Sequence, residues 1–260
     1  MPLVEVEHLS KSYSRHSGLR AEHALVVDDV SFDIHRGETL GLVGESGSGK
    51  STIARMVLGL IESTSGSVTF DGQRVNGAPQ SRLRAMRRRV QPVFQDPFAA
   101  LNPRMRVAEI IAEPLVIHGA SPRKELRPRC VELLRAVGLD ESVLARYPHE
   151  FSGGQRQRIN IARALALPPE LLVLDEPVSA LDVSVGAQIV NLLRDLQREF
   201  QLTYLFISHS MPLVRYLSTN IAVLRRGRLV EFGTRDAICD APQQDYTKAL
   251  IQATPELRMA

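Results

Sequence analysis

The sequence predicts an α/β fold in which helices wind around a buried parallel sheet, with a small antiparallel sheet and a helical insertion attached. Three observations carry this. Four nearly continuous apolar runs, TLGLV (39–43), VQPVF (90–94), LLVLD (171–175) and TYLFIS (203–208), read as strands covered on both faces. Helical apolar spacing separates them, as a wound core requires. Shorter segments with alternating character suit strands that keep one face wet.

Taken in order, residues 3–7 (LVEVE) and the stretch at 25–34 ending in VSFDI read as strands, and the polar SRHSGLRAEH between them reads as a loop. Its His16 and His23 are expected to be solvated, because nothing nearby completes a metal site. STIARMVLGLI, after the first buried strand, has helical spacing. SVTFDG (67–72) is a strand closing on Asp-Gly, and RRGRLVEFG (225–233) is a hairpin turning at Arg226-Gly227. With 3–7 and 25–34, these pieces suggest the antiparallel sheet. Arg82, Arg84, Arg87, Arg88 and Arg89 are read as a solvated helix face rather than a phosphate-binding surface. Residues 96–150 break the rhythm, with prolines at 97, 103, 114, 122, 128 and 148 and helical spacing in VAEIIAEPLVI and VELLRAVGL. The expected organisation is one domain, a catalytic core of 1–95 and 151–260 interrupted by a helical subdomain at 96–150.

Bulk properties exclude more than they specify. The 260 residues are 44% hydrophobic with a formal charge of +3, which is ordinary for a globular protein and too weak to indicate a nucleic-acid partner. No apolar run approaches the ~20 residues that span a bilayer. MPLVEVEHLSKSY has neither a basic n-region nor an apolar h-region, so no secretory signal is expected. Cys130 and Cys239 have no metal-ligand spacing and are expected to be reduced thiols.

Between the strand at 39–43 and the helix that follows, the chain reads GESGSGKS. Glycines let consecutive backbone N–H groups close around an anion, and the helix aims its positive end at the same point. The segment Gly44, Glu45, Ser46, Gly47, Ser48, Gly49, Lys50, Ser51 and Thr52 is therefore expected to cradle a nucleoside triphosphate. Lys50 would reach the β- and γ-phosphates, and the Ser51 hydroxyl would ligate Mg²⁺.

Ligands in open parallel sheets sit beyond the carboxyl ends of the strands. There the second buried strand delivers Gln95, the third Asp175 and Glu176, and the fourth His209. Asp175 is expected to hold Mg²⁺ opposite Ser51, and Glu176 to act as general base on the attacking water. His209 would hydrogen-bond the γ-phosphate and hold Glu176; Gln95 would touch Mg²⁺ or the water. Tyr13, placed just after the first strand, is the candidate stacking platform for adenine.

FSGGQRQRINIARALAL begins at Phe151, and SALD occupies 179–182. Together with Gly44–Ser51, Gln95 and His209, these segments resemble the ATP-binding subunit of an ABC transporter, with order and spacing that cover nearly the whole chain. The resemblance implies a P-loop NTPase (RecA-like) core. Ser152, Gly153, Gly154 and Gln155 correspond to the family's signature motif, a second anion site at a helix N-terminus. It implies a head-to-tail pair, with ATP between the phosphate loop of one subunit and the signature of the other.

VFQDPFAALNPRM, IIAEPL, RYPHEFSGGQRQR and APQQDYTKAL are similar to the peptide/nickel importer group, particularly the second ATPase subunit of dipeptide and oligopeptide systems. That likeness implies uptake of peptides, nickel or other small solutes. The implied partners are a homologous or identical ATPase subunit, two integral-membrane permeases and an extracytoplasmic binding protein. It implies a peripheral position on the cytoplasmic face of the membrane, with the 96–150 lobe docking a permease helix beside Gln95. A soluble ABC ATPase acting on DNA or the ribosome is the different-class alternative; the coiled-coil insertion, zinc module or second ATPase domain usual there is not found. Two departures stand out: Ser210-Met211 follows His209 where the group has an acidic residue and leucine, and Asp245 stands where proline is frequent. With only Cys130 and Cys239, and few residues after TPEL, no iron–sulfur cluster is expected.

Overall fold

The computed structural model of the chain describes residues 1–17 and 20–253; of residues 15–17 and 20–23 only the backbone is described. The side chains of His16 and His23, and the TPEL tail, thus lie outside the described parts. The chain forms two compact units, Met1–Arg87 with Thr203–Ala260, and Arg88–Leu202.

In the first unit β1 (Val4–Ser17) and β2 (Arg20–Ile34) pair antiparallel over most of their length. After β3 (Thr39–Val43) come α1 (Lys50–Val57), β4 (Ser65–Phe70), β5 (Gln73–Arg74) and α2 (Gln80–Met86). The antiparallel sheet has the order β2-β1-β4-β5. Its inner face takes Val4, Val6, Phe32, Ile34, Val68 and Phe70, while Glu5 and Glu7 face out. The alternation is broken in the middle of β1: His8 and Asp29 adopt positive φ of 47° and 56°, and the register with β2 shifts between Val6 and Leu9 and again between Leu9 and Ser12. That irregularity returns Leu9, Val27 and Val30 to the core, at 0% exposure each.

The second unit contains β6 (Val90–Val93), α3 (Pro97–Ala100), α4 (Val107–Ile117), α5 (Arg123–Ala136), α6 (Gly153–Ala164), β7 (Leu171–Asp175) and α7 (Val183–Phe200), with two short 3₁₀ turns before α6. β6 and β7 pair in parallel, Val90 opposite Leu171. The chain then returns to the first unit through β8 (Thr203–Ser208), α8 (Met211–Leu217), β9 (Asn220–Arg225), β10 (Arg228–Thr234), α9 (Arg235–Asp240) and α10 (Asp245–Gln252). There β3 lies between β8 and β9, parallel to both, and β10 pairs antiparallel with β9. Every residue of β3 and β8 is buried, as their unbroken apolar runs require.

Three local readings change. SRHSGLRAEH is not a loop: β1 runs on to Ser17 and β2 starts at Arg20, with Ser12 opposite Leu25 and Ser17 opposite Arg20. Backbone pairing between adjacent strands suffices to extend a polar ribbon, so composition hid it. Tyr13 consequently sits inside β1, opposite Ala24, rather than after the strand. The hairpin turning at Arg226-Gly227 forms as expected, with φ of 47° and 84°, but it does not join the antiparallel sheet. Its first strand is buried from Ile221 to Leu224 and therefore adds to β3.

Prolines in the helical stretch sit both at helix starts and inside helices. Pro97 opens α3 and Pro122 precedes α5, whereas Pro114 and Pro128 lie inside α4 and α5. The arginine cluster is only partly a solvated face. Arg82 and Arg84 are exposed on α2, but Arg87 donates to the Gly59 carbonyl at 3.1 Å. Arg89 pairs with Glu170. Cys130 and Cys239 are buried free thiols, and burial pushes the Cys130 thiol up to about 11. Among the described residues no helix is long and apolar enough to cross a membrane.

Candidate active site

The loop of residues 44–49 joins buried β3 to α1, and its shape follows from what surrounds it. Gly44 has φ of 152°, and a Cβ there would lie 2.1 Å from the Leu224 carbonyl oxygen on β9, so only glycine fits. Ser48 N–H donates to Glu45 O at 3.1 Å, and the Ser48 carbonyl accepts from Gly227 N–H at 3.0 Å. Asp28 N–H donates in turn to Gly227 O at 2.8 Å, and the Arg228 guanidinium pairs with Asp28 at 2.6 Å. The β9–β10 turn is thereby pinned between β2 and the loop.

Lys50 is 4% exposed, yet its ammonium is fully engaged. It donates to Gly44 O at 2.7 Å, Glu45 O at 2.8 Å and Ser48 Oγ at 3.4 Å, curling the loop around its own cation. Buried charge is costly unless it is hydrogen-bonded, and these acceptors meet that demand. Glu45, Ser46 and Gly47 remain exposed at the rim, while Ser51 and Thr52 are half-buried in the first turn of α1. The loop therefore sets a lysine ammonium directly at the N-terminus of α1, where backbone N–H groups also point.

Two more candidates belong to this unit. Tyr13 is 39% exposed, with the Lys11 ammonium 5.0 Å from its ring centroid. Its partner Ala24 lies two residues before Val26, whose carbonyl oxygen is 2.7 Å from where a Cβ on Gly49 would stand. His209 is exposed just past the end of β8, and Ser210 N–H donates to Ser208 Oγ at 3.0 Å.

In the second unit β6 and β7 end side by side, which brings Gln95 and Glu176 together. Gln95 Nε2 donates to Glu176 Oε2 at 3.2 Å. Glu176 has φ of 48°, left-handed for a non-glycine residue, and its carbonyl accepts from Ser179 N–H at 3.2 Å and Ser179 Oγ at 3.1 Å. Such strain of about 1–3 kcal/mol persists where surrounding structure fixes it, and it concentrates at functional positions. Asp175, the last residue of β7, is half-buried.

Ser152 caps α6. A capping box joins it to Gln155: Gln155 N–H donates to Ser152 Oγ at 3.4 Å, and Ser152 N–H to Gln155 Oε1 at 3.1 Å. Gly154 is packed tightly, since a Cβ there would stand 2.4 Å from Val185 Cγ1 on α7, and one on Gly153 would stand 3.0 Å from Leu181 Cδ2. The start of α6 is thus bare of bulk and braced on residues 181–185. α3, following Gln95, also leans on α6: Arg163 Nη1 donates to Ala100 O at 2.8 Å, and the Arg156 guanidinium lies 3.9 Å from the Phe98 ring centroid.

Comparison with known proteins places the chain that carries this glycine loop and this capped helix start. The ABC transporter family matches residues 27–179. The chain belongs to the ABC transporter family. It is 52% identical over 255 residues to the oligopeptide transport ATP-binding protein OppF of Bacillus subtilis (strain 168), covering 97% of this chain and 82% of that one. It is 51% identical over 259 residues to the glutathione import ATP-binding protein GsiA of Shigella dysenteriae serotype 1 (strain Sd197). That match covers 98% of this chain but only 41% of the relative, so the chain spans less than half of its length. The dimeric ATP-binding cassette MJ0796, solved in a post-hydrolysis state with ADP and Pi, superposes with a TM-score of 0.79 at 31% identity, over 89% of this chain and 98% of its own. The α/β P-loop fold expected from the sequence is accordingly that of ABC ATPase cassettes, and the cassette is an ABC-type ATPase whose nucleotide is ATP.

Some contacts of the cassette escaped sequence reading. The clamp by Leu224 and Gly227 is one, because turn residues carry no chemical mark of what they touch. Tyr246 is another. Its hydroxyl accepts from Glu45 N–H at 3.2 Å, and the Arg225 guanidinium lies 4.8 Å from its ring centroid. α10 is itself held by Glu231, whose carboxylate accepts from Gln243 N–H at 2.7 Å and Gln244 N–H at 3.2 Å. The sequence offers one hint of this brace, a tyrosine in the tail segment APQQDYTKAL.

Proposed function

We propose that the cassette is the ATP-hydrolysing subunit of an importer for di- and oligopeptides or similar small solutes. The observation that carries this reading is the 52% identity to an oligopeptide transport ATP-binding protein across 97% of the chain. Nickel and other small solutes of the same group are the second reading, and the likeness to a glutathione import protein widens the range of small peptidic cargo.

In this account the loop from Gly44 to Thr52 wraps the phosphates, and Lys50 shifts its ammonium from loop carbonyls toward the phosphate oxygens. The rigid carbonyl cage around Lys50 supports this, since the cation is already oriented before nucleotide arrives. Ser51 and Asp175 would hold Mg²⁺; a hydroxyl and a carboxylate are the hard oxygen donors that this ion prefers. When bound, Mg²⁺ neutralises phosphate charge. Glu176 orients and deprotonates the attacking water, and Gln95, already bonded to Glu176 Oε2, holds the carboxylate in line. His209 hydrogen-bonds the γ-phosphate, and Tyr13 stacks on adenine.

Ser152, Gly153, Gly154 and Gln155 cap the triphosphate held by a second cassette, either another copy or a homologue. The helical segment 96–150 docks on the permeases, a role supported by exposed Phe98 (57%), Val116 (61%) and Ile117 (58%). Two permeases and an extracytoplasmic binding protein complete the assembly, with the cassette peripheral on the cytoplasmic face of the membrane.

Uptake tests the reading. A host lacking the chain should lose accumulation of labelled di- and oligopeptides, and the wild-type chain but not Lys50→Ala should restore it. Retained peptide uptake together with lost nickel uptake would reassign the cargo. Recovery of ribosomes or DNA with the purified chain, and of no permease, would replace the transport reading altogether.

A further inference from the structure

Gln157 lies on α6, beyond the Ser152 cap, and is 0% exposed. Its Nε2 donates to the carbonyl oxygen of Pro177 at 2.7 Å, a short and fully buried bond. Pro177 directly follows Glu176, the left-handed residue whose own carbonyl is tied to Ser179. The turn carrying the general base is therefore held at two consecutive carbonyls, one by Ser179 and one by the signature helix.

Packing alone gives a poor reason for this side chain. Gln157 Oε1 has no hydrogen-bond partner among the described residues. An amide with an unpaired buried oxygen costs more than an apolar side chain of the same length would. What glutamine supplies, and methionine could not, is the donor to Pro177.

We propose that Gln157 is a positioning residue through which the signature end of α6 sets Glu176 of the same cassette. The proposal rests on the reading that Ser152–Gly154 receive a triphosphate held by a second cassette. α6 is braced at Gly154 against Val185 with no slack, so an anion drawn to its N-terminus moves the helix as a unit. Gln157 passes that shift to Pro177, and Glu176 turns with it. Occupancy of one site thereby adjusts the base serving the other, which couples the two hydrolysis events.

The test uses the assembled transporter, comparing wild type with Gln157→Met, which keeps the length and loses the donor. Steady-state turnover is measured against ATP concentration, with melting temperature and ATP affinity recorded alongside. The expected result is a kcat lower by about tenfold, a KM within about twofold of wild type, and a Hill coefficient falling toward about 1. Gln157→Asn, which draws the amide back from Pro177, should give the same pattern in milder form and serves if the methionine variant does not fold.

Asn160→Leu alters the same buried helix without touching Pro177 and should retain the Hill coefficient. Wild-type kcat and cooperativity in both Gln157 variants would overturn the proposal, as would an equal loss in Asn160→Leu. Failure of the underlying reading looks different: Glu176→Gln cassettes would not pair in ATP at all, whereas failure of this proposal alone leaves pairing intact.

Discussion

Gln95 Nε2 donates to Glu176 Oε2 across 3.2 Å, joining the residue after β6 to the residue after β7, two parallel neighbours. One carboxylate oxygen is thus occupied by a neutral donor, which aims the other without neutralising it. A carboxylate must remain ionised to accept a proton from water, and an amide partner orients it without adding the competing charge of a lysine or arginine.

Gln95→Ala should remove the amide contact that helps orient that carboxylate. Turnover should fall by about 10–10²-fold, while ATP affinity stays within about twofold of wild type. Single-turnover kinetics with separately measured nucleotide binding checks this. Loss of affinity equal to the loss of rate would assign Gln95 to binding instead.

Tyr246 braces the loop of residues 44–49 from α10. Tyr246→Phe keeps the ring beneath Arg225 and removes the acceptor for Glu45 N–H. A neutral exposed hydrogen bond contributes about 0.5–1.5 kcal/mol, so nucleotide affinity should weaken about two- to tenfold with melting temperature nearly unchanged. Fluorescent-nucleotide titration reads it directly. Tyr246→Ala, which also removes the stacked ring, should weaken affinity further.

Acid should release the same brace. Burial raises the Glu231 carboxyl, but hydrogen bonds from the N–H groups of Gln243 and Gln244, with the nearby Lys248 charge, outweigh it and hold the group below the usual carboxylate range. A carboxylate whose folded pKa is depressed stabilises the folded state above its unfolded value near ~4.3, and that contribution is lost as pH falls through the folded value. The protection factors of the α10 amides, corrected for the intrinsic pH dependence of exchange, should therefore be high at neutral pH and fall below about pH 4. Glu231→Gln should remove the pH dependence. An α10 equally protected at both ends of this range would contradict the assignment.

The buried strands were legible because a continuous short apolar run is stable in water only when both of its faces are covered; β3, β7 and β8 span the residues their sequences indicate. The glycine turn of residues 44–49 and the Ser152 cap were legible for a related reason, since glycine and a capping hydroxyl are demanded by backbone geometry rather than by distant partners. What escaped was whatever depends on a partner far along the chain. Polar β1 and β2 extend because each supplies the other's hydrogen bonds, and β9 joins β3 because it is buried on both faces. Tyr246 and Gln157 are ordinary residues in sequence, 201 positions from Glu45 and 20 from Pro177 respectively. Only folding gives them a role.

The proposed mechanism makes Glu176 the base, and its replacement by glutamine is the sharpest probe. Glu176→Gln keeps the shape and the hydrogen bond from Gln95 but cannot take a proton. ATP turnover by the assembled transporter carrying this variant, measured with bound nucleotide identified after rapid separation, should fall at least about 10²-fold while ATP, not ADP, remains bound. Turnover at the wild-type rate would mean that another group activates the water.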